Sequence, residues 1–113
     1  MSLTSTVDGN ARIVTVNAER IDAALAIQFK EDMRAETETG PDHVILDLSS
    51  VAFVDSSGLG AIVAAMKQLG ADRKLELAAL TPGVQKVFRL TRMDTVFTIH
   101  DDAASALDGL AHA

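Results

Sequence analysis

Apolar side chains along the chain follow two rhythms: short runs of branched residues, and stripes that recur every three or four positions. The runs predict strands and the stripes predict helices. Residues 5–7 make a first short strand segment, Asp8-Gly9-Asn10 reads as a turn, and residues 12–16, with Ile13, Val14 and Val16, make a second strand. These two are expected to pair as a hairpin. Asp22 then caps a helix running to about Glu36, in which Leu25, Phe29 and Met33 form one apolar stripe. Gly40-Pro41 ends that connection.

Val44-Ile45-Leu46-Asp47-Leu48 is almost continuously apolar and rich in branched residues, which suits a central strand covered on both faces. A second helix is expected to begin around Asp55-Ser56-Ser57-Gly58. Leu59, Ile62, Val63 and Met66 fall at i, i+3, i+4 and i+7 and predict its core face, and Lys67 and Gly70 mark its end. Residues 74–80 read as a strand. Thr81-Pro82 starts a third helix, with proline at the first helical position and Val84, Val87 and Phe88 turned inward. Residues 96–99 read as a last strand, and Asp101-Asp102 caps a final helix through Leu110. Strands alternating with helices predict an α/β fold with a mostly parallel sheet. At 113 residues the chain is read as a single domain, residues 1–113, with its core over about 12–110.

Composition narrows the function. The formal net charge is -6, which disfavours nucleic acid and anionic membranes as partners. No cysteine is present, so disulfides and thiolate–zinc sites are excluded. No apolar stretch is long enough to span a bilayer, and no basic segment followed by an apolar run opens the chain, so a cytoplasmic location is expected. With no tryptophan or tyrosine and four phenylalanines, base stacking is not a basis for binding.

The densest chemistry lies in Val54-Asp55-Ser56-Ser57-Gly58-Leu59-Gly60. Two hydroxyls stand where a strand hands over to a helix, and free N–H groups at a helix start favour an anion. A phosphate on either serine fits that setting; so does the plainer role of Ser56 or Ser57 as an N-cap. Enzymatic readings fare worse. Asp55-Ser56-Ser57-Gly58 departs from the G-x-S-x-G elbow of serine hydrolases, and none of His43, His100 and His112 is close to Ser56 in sequence. A dinucleotide fingerprint on Gly58 and Gly60 meets Val63 where glycine or alanine is needed, and no P-loop lysine follows. Asp101 and Asp102 lack the glycine-centred loop of a calcium site, so no metal and no cofactor is expected. Asp47 is read as a strand-end hydrogen-bonding residue. On the second helix, Gly60, Ala61, Ala64, Ala65 and Gln68 form a small, nearly uncharged face. It suits either a partner surface or alanine's helix propensity alone.

These residues resemble the STAS family, in particular its bacterial anti-sigma factor antagonists. The resemblance runs from about Ile13 to Leu107 and centres on residues 44–49 and 53–60. It is supported by Arg20-Ile21-Asp22-Ala23, Thr81-Pro82-x-Val84 and Met93-Asp94-x-x-Phe97. It implies a sheet of four to five strands with about four helices against it and the first strand antiparallel. It also implies that Ser56 is phosphorylated by a partner that is both anti-sigma factor and serine kinase. The unmodified form would hold that partner and free a sigma factor, and a phosphatase acting on phospho-Ser56 would reset the switch. Asp55, Ser57 and Gly58 would shape the loop, and Leu59, Gly60, Ala61, Ala64, Ala65 and Gln68 would carry the docking surface. The alternative is a STAS scaffold in a chemotaxis, stress-signalling or lipid-transport complex without a sigma factor. Two departures from the family pattern stand out. Gly70-Ala71-Asp72-Arg73-Lys74 replaces a glycine-rich turn. Arg92 stands where the family usually has a glycine suited to a left-handed helix end, so an unusual backbone is expected there.

Overall fold

The structure, a computed structural model, describes residues 2–111; Met1, His112 and Ala113 lie outside them. Strands β1 (Ser2–Asp8) and β2 (Ala11–Asn17) form the expected hairpin, longer than the sequence pattern suggests because β1 starts at Ser2. Asp8 pairs with Ala11, leaving a two-residue loop whose first member, Gly9, has φ +60°. That is where a tight hairpin turn needs glycine.

After β2 come β3 (Arg20–Ile21), α1 (Ala23–Thr37), β4 (His43–Asp47), β5 (Phe53–Val54) and α2 (Ser56–Leu69). They are followed by β6 (Lys74–Ala78), α3 (Pro82–Leu90), a 3₁₀ turn (Met93–Thr95), β7 (Ile99–His100) and α4 (Ala103–Ala111). The main sheet has the order β1-β2-β4-β6-β7, with β1 antiparallel to β2 and the other neighbours parallel. β4 is therefore central, as its apolar run predicts. Val44 and Leu46 join Val14, Val16, Leu75 and Leu77 beneath α1, α2 and α3, where Phe29, Ile62, Val84 and Phe88 complete the main core. Ile45 points to the other face and packs with Ala11, Ala78 and Ala106 of α4.

Three local expectations are corrected. The last strand does not begin at residue 96. Met93 O accepts from both Val96 N (3.0 Å) and Phe97 N (3.1 Å), so those amides are spent on the 3₁₀ turn and pairing starts only at Ile99. Phe97 is the buried residue of that segment, edge-on to Phe88, and Val96 is exposed. Thr81 stands at the cap position of α3, but its hydroxyl donates to Val51 O at 2.7 Å instead of capping the helix. Asp22 stands at the cap position of α1 without a side-chain cap bond.

Two other readings hold. Arg92 has φ +61° and ψ +20°, a left-handed conformation that costs a non-glycine residue. Asp102 Oδ1 accepts from Ser105 N at 2.7 Å, and hydrogen bonds from Ser105 hold its carboxyl below the ordinary value.

Candidate functional site

The site is built where two short strands, absent from the sequence reading, zip the β2–α1 connection to the β4–α2 connection. Arg20 pairs with Phe53 and Ile21 with Val54 in parallel. Glu19 O accepts from Ala52 N (2.7 Å) and Phe53 N (3.2 Å), and Ile21 O accepts from Asp55 N (3.3 Å). Two-residue strands carry no periodicity, so only long-range pairing defines them. Arg20-Ile21-Asp22-Ala23 and Phe53-Val54-Asp55-Ser56, distant in the chain, thus become neighbours.

Asp55 is the hinge of this junction. It is the N-cap of α2, with Oδ1 accepting from Gly58 N at 2.8 Å. Its Oδ2 accepts from Ala23 N, the first residue of α1, at 3.2 Å. One carboxylate thus serves the N-termini of two helices, and both positive dipole ends converge on it. The cap of α2 is Asp55 and neither serine; Ser56 and Ser57 are the first two residues of the helix. The anion place at this helix start is already held by a side chain of the protein.

Gly58 explains how the junction closes. A Cβ at this position would lie 1.9 Å from Ile21 O, inside any permitted contact, so only glycine lets α2 approach β3. Ser56 and Ser57 are exposed, and among the described residues no group hydrogen-bonds either hydroxyl. Beside them Phe53 is 41% exposed, and the Arg20 guanidinium lies 4.5 Å over its ring centre while Arg20 Nε reaches Asp22 Oδ2 at 3.4 Å.

The core face read from sequence holds in part, with Ile62 buried and Leu59, Val63 and Met66 packed against the core, but the small-residue face expected opposite it is not open. The buried residues of α2 are Gly58, Ala61, Ile62, Ala65 and Leu69, whereas Leu59, Val63 and Met66 are only partly buried. Gly58, Ala61 and Ala65 are therefore withdrawn from the outer face by packing. Small side chains allow close approach to the sheet and α1, so a propensity-based reading of an alanine face misplaces it. The outer face keeps Ser56, Ser57, Gly60 and Gln68, with Leu59 and Ala64 half-buried at its edges.

Among the described residues, neither His43 nor His100 bonds Ser56. His100 Nε2 lies 2.6 Å from Glu76 Oε1, and His43 opens β4, at the far end of that strand from the handover to α2. Asp47 Oδ1 accepts from Ser49 N at 2.9 Å, the strand-end role expected of it. No helix among the described residues is long and apolar enough to cross a membrane.

A family model described as STAS domain matches residues 2–106. BtrV of Bordetella bronchiseptica, classed as an anti-sigma factor antagonist, is 28% identical over 87 residues, covering 76% of this chain and 75% of its own length. The crystal structure of an anti-sigma factor antagonist from Mycobacterium paratuberculosis superposes with a TM-score of 0.85 at 24% identity, covering 96% of this chain and 92% of that one. The anti-sigma factor antagonist SpoIIAA superposes in its unphosphorylated form with a TM-score of 0.78 at 17% identity, over 99% and 98% of the two chains. The phosphorylated form of the Bacillus protein superposes with 0.69 at 18% identity, over 96% and 99%.

Proposed function

Since the chain belongs to the STAS domain family, we propose that it is an anti-sigma factor antagonist, a binding module switched by phosphorylation of Ser56. The observation that carries this reading is the placement of Ser56. It is the first residue of α2, exposed, with its hydroxyl unengaged among the described residues and directly behind Asp55, which is bonded to Ala23 N and Gly58 N. An incoming kinase active site meets a hydroxyl on a fixed backbone. The kinase supplies nucleotide, metal and base, so this chain needs no catalytic group of its own.

The partner is an anti-sigma factor that is also a serine kinase, and a phosphatase returns Ser56 to its free state. The unmodified form binds through Ser56, Ser57, Gly60 and Gln68, with Leu59 and Ala64 at the margin. A phosphate adds about -1.5 to -2 charges beside Asp55. Docking then requires desolvating two adjacent anions, a penalty comparable with the net energy of a modest interface.

The experiment is incubation with the cognate kinase and ATP, followed by mass-spectrometric mapping of wild type and Ser56→Ala. Phosphate is expected on Ser56 alone, and Ser56→Ala is expected to take none. Phosphate on Ser57 alone would overturn the assignment and leave the fold untouched.

A further inference from the structure

Building on the reading of Ser56 as the phosphate acceptor, we propose that phosphorylation transfers the cap of α1 from Asp55 to Asp22, which makes Asp22 a positioning residue of the switch. Asp22 already has the extended backbone of a capping residue, φ -125° and ψ -174°, yet its side chain caps nothing. Among the described residues its Oδ1, which is buried, has no hydrogen-bond partner, and its Oδ2 reaches only Arg20 Nε, at 3.4 Å. A buried carboxylate oxygen without a donor is an unfavourable state that a rotation toward the helix would relieve. In the unmodified protein the α1 terminus is instead held across the junction by Asp55.

The two bonds of Asp55 are unequal. The one to Gly58 N is local to α2 and 2.8 Å long; the one to Ala23 N joins two elements and is 3.2 Å long. A dianion on the next residue repels the Asp55 carboxylate and draws on the same positive helix end. The longer bond is the one released. Asp22 then turns to the N–H of Ala24, the second residue of α1, in the ordinary reach of an N-cap side chain. Arg20 loses its carboxylate partner in the same movement, which frees the guanidinium over Phe53. The phosphate thereby changes the first turn of α1 and the Arg20–Phe53 surface, neither of which carries the modification.

The test uses full-length protein with phosphoserine installed at position 56 during translation, so no kinase is required. Amide hydrogen exchange is read by NMR in both forms, with Asp22→Ala and Asp22→Asn. Phosphorylation is expected to lower protection at Ala23 and raise it at Ala24. Asp22→Ala is expected to reduce protection across the first turn of α1 by roughly fivefold more in the phosphorylated form, the factor carried by one lost cap. Asp22→Asn, which also caps, should behave as wild type. Unchanged protection at Ala23 and Ala24 on phosphorylation, or an equal effect of Asp22→Ala in both forms, would overturn the cap exchange. Equal partner binding by the two forms would instead overturn the switch at Ser56 and leave the cap exchange standing.

Discussion

The Asp55 carboxylate and the Ala23 amide, 32 residues apart in the chain, meet at 3.2 Å and tie the starts of α1 and α2 to one group. The same carboxylate holds Gly58 N. The residue before Ser56 is therefore a structural fastener for the starts of both helices as well as a neighbouring charge.

Asp55→Ala removes both bonds. It is expected to destabilise the domain by about 2 kcal/mol, the upper end for a lost cap. Ser57→Ala, at an exposed position whose hydroxyl bonds nothing among the described residues, is expected to stay within about 0.5 kcal/mol. Urea unfolding of the two variants checks the contrast, and similar losses for both would refute the fastener role.

Gly58 and Gly60 share the first turns of α2 but differ completely in their surroundings. A Cβ added at Gly58 would strike the Ile21 carbonyl, whereas one added at Gly60 would meet nothing within 4 Å. Gly58→Ala is expected to cost about 3 kcal/mol or more, because the obstacle is backbone and cannot rotate away. Gly60→Ala is expected to gain up to about 1 kcal/mol through helix propensity. Thermal melts of both variants decide this; a tolerated Gly58→Ala would contradict the close approach of α2 to β3.

Arg92 holds a left-handed conformation after the end of α3 without a side-chain cap bond. Arg92→Gly removes the steric penalty and is expected to stabilise by about 1 kcal/mol or less, since glycine's unfolded-state entropy offsets part of the gain. A loss of stability in chemical denaturation would mean that the arginine side chain contributes contacts worth more than the strain.

The fold is legible in the sequence where packing imposes a period. The apolar run of β4, the stripe of α1 and the proline start of α3 each reflect a face that must be buried. The Arg92 anomaly is legible only against the family pattern, which usually has glycine at that place, and not from the chain's own periodicity. What cannot be read depends on partners far along the chain. The β3–β5 pair is too short to show alternation, and Asp55 rather than Asp22 bonds the first amide of α1 only because that pair brings the two segments together. The small-residue face of α2 is misplaced because alanine and glycine are silent in a hydrophobicity pattern, yet Gly58, Ala61 and Ala65 are the residues that let the helix sit close. The exposure of Ser56 follows from its place at a helix start; the idle state of its hydroxyl does not.

The central claim is that a phosphate on Ser56 decides whether the partner stays bound, and an equilibrium titration addresses it most directly. The anti-sigma kinase is titrated with unmodified protein and with protein carrying phosphoserine at position 56, under identical salt. The phosphorylated form is expected to bind at least roughly tenfold more weakly, about 1.4 kcal/mol. Equal affinity of the two forms would contradict the claim.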